Sequence, residues 1–185
     1  MFLKNCWYAA ALDREVGEGL FARTICNEPM LMFRKADGGV VAIEDRCCHR
    51  SLPLSLGKRV GDTVQCGYHG LQFDATGRCI KVPGQNSVPP GAKVQSWPAV
   101  ERHGFVWVWL GDETPDEAKI PDMHWNRAPG WAPMTDVLHV KAHHRLVTDN
   151  LLDLTHETYM FQAELVHLAK TPPAVVASYR RLFAP

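Results

Sequence analysis

Two short motifs constrain this chain more than anything else in it: Cys47-Cys48-His49 and Cys66-Gly67-Tyr68-His69, with sixteen residues between the first histidine and the second cysteine. Each motif mixes one thiol with one imidazole, so each must deliver both donor types to a single place. One residue separates the donors in the first motif and two in the second, which suits two tight loops closing from opposite sides. Gly67 and Gly70 permit close backbone approach there.

Two soft and two borderline donors fit two inorganic groups. In a Rieske [2Fe-2S] centre, one iron takes two thiolates and the other two imidazoles, and neutral imidazole in place of thiolate raises the potential. Each motif then supplies one cysteine to the first iron and one histidine to the second. Zinc is the rival, because Cys2His2 is also a zinc set. Zinc fingers pair Cys with Cys and His with His, whereas both half-sites here are mixed, and the pattern favours the cluster and electron transfer.

At 185 residues, with 46% hydrophobic and 22% charged residues, the chain can bury one core plus part of a second domain. Twenty basic residues balance twenty acidic ones without a Lys/Arg run, which argues against nucleic acid or an anionic membrane as partner. The start, Met1-Phe2-Leu3-Lys4, lacks the pattern of a secretory signal, and no apolar run has bilayer length. A cytoplasmic setting is expected. Cys6, Cys26, Cys48 and Cys79 accordingly read as free thiols.

The first hundred residues read as strands and turns. Met30 to Phe33 and Val40 to Glu44 flank Lys35-Ala36-Asp37-Gly38-Gly39 and predict a hairpin. Thr63 to Cys66, Leu71 to Phe73 and Cys79 to Val82 are further strand candidates, so both motifs follow strand ends. In Phe105 to Leu110, alternation puts Trp107 and Trp109 on one face as core residues. Beyond an acidic, proline-broken stretch, Val137 to Val140 predicts a strand. From Thr148 a helix is expected with Asn150, Asp153 and His156 on one face. No internal repeat is evident.

The motifs, together with Lys4-Asn5-Cys6-Trp7-Tyr8, Pro53-Leu54-Ser55, Gly104-Phe105-Val106-Trp107-Val108-Trp109 and Asp149-Asn150-Leu151-Leu152-Asp153-Leu154-Thr155-His156-Glu157-Thr158-Tyr159, make the chain resemble the oxygenase components of Rieske non-haem iron oxygenases. Within them it most resembles the vanillate O-demethylases. The resemblance implies a mainly β fold: a Rieske β-sandwich domain over residues 1–115, then the start of an α+β catalytic domain over 116–185. It implies a [2Fe-2S] cluster on Cys47, His49, Cys66 and His69, fed by a separate reductase, and a homotrimer. It also implies that Asp153, next to Asn150, links His69 to a mononuclear iron site in the neighbouring subunit. His156 would be that iron's first ligand, in an enzyme that uses dioxygen to demethylate a methoxylated aromatic acid such as vanillate.

Three departures stand against this. Cys48 replaces the family's usual proline, with ligand spacing intact. Phe161 stands where a second iron-binding histidine is expected, and the distant carboxylate ligand lies beyond Pro185, so the mononuclear site is expected to be incomplete. His167, Met160, Glu157 and Glu164 do not fit as substitutes, and His124, His139, His143 and His144 fit no ligand pattern. The tail from Gln162 departs from the family, as a frameshift or early stop in a longer oxygenase gene would produce. For Asp153 and Asn150 the residues alone read as helix capping or a solvated face. Three functions remain open: oxygenase component, electron carrier without a chemical site, or inactive fragment.

Overall fold

In the computed structural model, residues 2–153 and 155 are described, and the chain divides into two units, Met1–Trp131 and Ala132–Pro185. The strands among the described residues all lie in the first: β1 Cys6–Leu12, β2 Phe21–Ile25, β3 Glu28–Arg34, β4 Val40–Glu44, β5 Lys58–Val60, β6 Thr63–Gln65, β7 Gln72–Phe73, β8 Cys79–Lys81, β9 Ser96–Trp97, β10 Ala99–Arg102 and β11 Phe105–Leu110. They form three antiparallel sheets, ordered β1-β11-β10, β2-β3-β4-β9 and β5-β6-β7-β8. The fold is mainly β, as the sequence implies.

The hairpin between β3 and β4 forms as expected, with Gly38 at φ 85° and the Lys35 N–H donating to the Gly39 carbonyl at 2.9 Å. Its sheet is the middle layer. Met30, Leu31, Met32 and Phe33 are all 0% exposed, because successive side chains of β3 point to opposite faces and both faces are covered. Met30, Met32 and Ala42 pack with Val106, Val108 and Leu110 of β11. Leu31, Phe33, Val41 and Ile43 pack instead with Val64, Phe73 and the two motif cysteines. Burying each large apolar side chain contributes roughly 1.5–3 kcal/mol, so the motif loops rest on one of the best-packed parts of the chain.

The other face of β11 carries Trp107 and Trp109, buried with Trp7 and Ile120. Indole N–H groups inside a core need acceptors. Trp7 Nε1 donates to the Asp116 carbonyl at 2.8 Å, Trp109 Nε1 to that of Glu113 at 3.0 Å, and Trp107 Nε1 to that of Arg102 at 3.0 Å. Residues 112–123 therefore form a strap over the tryptophans, and the first unit runs past residue 115 to Trp131.

In the second unit, Val137 to Val140 forms no strand. The helix among its described residues, α1 His144–Leu152, starts earlier than Thr148 and is capped by His143, whose side chain accepts from the Arg145 N–H at 3.3 Å. It stops at Leu152 because Asp153 Oδ1 accepts from both the N–H (3.0 Å) and the hydroxyl (2.5 Å) of Thr155, a local turn that competes with helix. Among the described residues no helix is long and apolar enough to cross a membrane.

Candidate metal centre

Each motif cysteine opens a loop with the same hydrogen-bond frame. The Cys47 N–H donates to the Leu52 carbonyl at 2.9 Å and the Ser51 N–H returns to the Cys47 carbonyl at 2.9 Å. In the second loop, the Cys66 N–H donates to Leu71 at 2.8 Å and the Gly70 N–H to Cys66 at 3.1 Å. Ser51 and Gly70 both take positive φ, 58° and 76°. The loops are thus two copies of Cys-x3-(Ser/Gly)-Leu, a short internal repeat that the sequence reading overlooks. Matching the offsets of Ser51 and Leu52 from Cys47 against those of Gly70 and Leu71 from Cys66 would have revealed it.

The two copies are held close together. Asp45 accepts from the Ser55 N–H and hydroxyl, each at 2.7 Å, which ties the chain after the first loop back to its start. A Cβ on Gly67 would fall 2.9 Å from the Leu56 carbonyl, and one on Gly57 would collide with the Gln65 carbonyl. Glycine is required where these backbones pass.

This frame sorts the four motif side chains by depth. Cys47 and Cys66 are 2% and 3% exposed within the core, whereas His49 and His69 are exposed, their ring centroids 4.5 Å apart at 62°. Burial pushes the Cys47 thiol up to about 11; the His49 backbone N–H draws it down, and the adjacent Cys66 thiol raises it further. A coordinated metal removes such a proton outright. Tyr68 lies against His69 with ring centroids 3.9 Å apart, a contact the sequence reading does not anticipate.

Among the described residues, no three His, Cys, Asp or Glu side chains form a set for one ion. The motif residues form instead a buried sulfur pair and an exposed imidazole pair. That layout fits a group with two irons, one finished by thiolates and the other by imidazoles, better than a single tetrahedral zinc. The rings line a cavity of about 520 Å³ with Cys48, Leu71, Val82, Pro83, Pro89 and Ala92. None of the six cysteines lies in a disulfide.

Asn150 lies in the last turn of α1, and Asp153 lies just past the helix end, so the two do not continue one helical face. His156, Glu157, Met160, Phe161, Glu164 and His167 lie outside the described residues.

A β domain that offers two thiols inside and two imidazoles outside, on paired loops, defines an iron–sulfur electron-transfer module. Residues 6–98 match the Rieske [2Fe-2S] domain, and the chain belongs to that family. It is 47% identical over 169 residues to the iron-sulfur subunit of a toluene-4-sulfonate monooxygenase system from Comamonas testosteroni, covering 89% of this chain and 48% of the relative. To a vanillate O-demethylase oxygenase subunit from a Pseudomonas species it is 42% identical over 166 residues, covering 89% and 47%. The structure of dicamba monooxygenase bound to dicamba superimposes with a TM-score of 0.80 at 40% identity, covering 88% of this chain and 49% of that one. The chain thus spans about half the length of these relatives. The vanillate enzyme is among the relatives, as the sequence implies, but the toluene-4-sulfonate subunit has the higher identity, and family membership leaves the substrate open.

Proposed function

We propose that this chain supplies the electron-entry half of the oxygenase component of a Rieske-type aromatic monooxygenase. Cys47 and Cys66 hold one iron and His49 and His69 the other. A bound [2Fe-2S] cluster supplies a one-electron store whose potential is raised by its imidazole ligands. The residues of this chain do the rest. The core around Cys47 and Cys66 keeps water from the sulfurs, and the exposed imidazoles carry the path between cluster and surface.

In this reading the donor is a separate reductase. The substrate is an aromatic acid, with a methoxylated one such as vanillate and an arenesulfonate as the two candidates. Asp153, with Asn150 beside it, links His69 to the mononuclear iron site of a neighbouring subunit in a cytoplasmic homotrimer, and His156 begins that site. A Rieske domain over residues 1–115 with catalytic-domain sequence from 116 belongs to the same proposal, residues 116–131 being the part of that sequence that packs within the first unit. The paired layout of the four motif side chains carries the electron-entry part. That part needs no second metal, so electron transfer without oxygenase chemistry is the alternative, and Phe161 in place of a histidine favours it.

Iron analysis of anaerobically purified protein tests the reading, with electron paramagnetic resonance after reduction. About two irons per chain with a Rieske spectrum is the expected result for the module, and about three indicates a mononuclear site as well. Zinc in place of iron, with no such spectrum, would overturn the proposal.

A further inference from the structure

Arg78 and Lys93 face each other across an antiparallel bridge. The Cys79 N–H donates to the Ala92 carbonyl at 2.9 Å and the Val94 N–H to the Gly77 carbonyl at 2.8 Å, so the two cations form the non-hydrogen-bonded pair between those bonds. Such pairs have Cα atoms about 4.5 Å apart and the closest side chains in a ladder, and like charges there are destabilising. Gly77, whose φ is 79° and whose Cβ would collide with the Val94 carbonyl, fixes this register.

Among the described residues no carboxylate offsets the pair. Neither Arg78 nor Lys93 forms an ion pair among the described residues, and both are exposed. Asp74, in the same loop, turns Oδ1 to the N–H groups of Thr76 and Arg78 and to the Thr76 hydroxyl. Arg50 and Lys81 are likewise exposed and without ion pairs among those residues. Between Glu44 and Lys93 the chain carries seven Lys/Arg against four Asp/Glu, although its net charge is zero.

This positive surface adjoins the imidazole pair. Arg78 and Lys93 line a cavity of about 540 Å³ with Pro89 and Ala92, and Pro89 and Ala92 also line the cavity bordered by His49 and His69. Arg50 follows His49 directly, and Lys81 precedes Val82 of that cavity. We propose that the face bearing Arg78, Lys93, Lys81 and Arg50 is the docking surface for an electron-donor protein with an acidic face, and that Arg78 and Lys93 are its fixed anion-reading pair. Opposite charge raises encounter rates and sets orientation at the point where the imidazoles are reached. The inference rests on the electron-entry reading above.

Two measurements on the full chain test it. In the first, one electron passes from the reduced protein to a small oxidant, which is reduced: anionic ferricyanide or cationic tris(phenanthroline)cobalt(III). The ferricyanide rate should fall with added salt and drop about tenfold in Arg78→Glu/Lys93→Glu, while the cobalt rate rises. Arg78→Gln/Lys93→Gln should move both rates part of the way, and Lys4→Glu, on β1's side of the molecule, should move neither. In the second, binding is measured at low and high salt to an acidic plant-type ferredoxin and to basic cytochrome c. Ferredoxin binding that is lost with salt and in both double variants supports the proposal. Binding of cytochrome c instead, or rates blind to the double variants, overturns it. Absence of a Rieske spectrum defeats the electron-entry reading, and the binding measurement still judges the surface.

Discussion

Ser51 and Gly70 occupy equivalent places in the two motif loops: each follows its cysteine by four residues, donates its N–H to that cysteine's carbonyl and adopts positive φ. Glycine takes this conformation freely, whereas an L-residue incurs roughly 1–2 kcal/mol. Ser51→Gly should therefore stabilise the chain by about 0.5–1 kcal/mol with iron retained, since the gain is partly offset by unfolded-state entropy. Gly70→Ala should cost about 1–2 kcal/mol and reduce iron occupancy, because its Cβ would also fall 3.0 Å from Pro83. Chemical denaturation with visible absorbance checks both, and loss of the chromophore in Ser51→Gly would sink the idea that the loops share one frame.

Removing one ligand should have a graded effect by depth. Cys47→Ser or Cys66→Ser takes a thiolate from a buried pair that the core cannot replace, so iron should fall to nearly none per chain. His49→Cys or His69→Cys keeps a donor at the exposed position but adds negative charge. Any cluster that survives should then have a lower potential and an altered spectrum. Metal analysis and redox titration read the two outcomes, and unchanged iron in Cys47→Ser would remove that residue from the ligand set.

What could be read from the sequence, and what could not, follows the range of the interactions involved. The four motif residues were legible because the donor types and their spacing are local. The hairpin at Gly38 and the tryptophan face of β11 were legible because turn chemistry and alternation are local too. The strap was not, since Trp7 reaches the Asp116 carbonyl across 109 residues and nothing in either segment alone signals it. Val137 to Val140 has β propensity but no paired strand among the described residues, and propensity alone does not make a ladder. The early helix end at Leu152 turns on one side chain, Asp153, outcompeting the next backbone turn.

The strap supplies a further prediction. Trp7→Phe keeps most of the buried ring but leaves the Asp116 carbonyl without its donor, at a cost of about 1–3 kcal/mol. Residues 112–123 should then exchange amide hydrogens faster and become open to limited proteolysis, with the cluster loops unchanged. If exchange rises instead across β3 and β4, the strap is not a separable layer.

Acid should loosen the N-terminal corner. Glu15 Oε1 pairs with Arg23 at 2.8 Å and Oε2 accepts from the Leu12 N–H at 2.8 Å. The Arg23 hydrogen bond is the main cause holding its carboxyl below the ordinary value of 4.5. A carboxylate with a depressed folded pKa adds stability that is fully present above its unfolded pKa and is lost as pH falls through the folded one. The stability from this pair should thus be constant from pH 7 to about 5 and decline below about 4.5. Glu15→Gln should cost about 1 kcal/mol at pH 7, a modest figure because both side chains are about a quarter exposed. Thermal melts of both proteins from pH 7 to 3 make the comparison: the gap between them should close as the pH falls, and a gap that widens would mean the pair does not stabilise the fold.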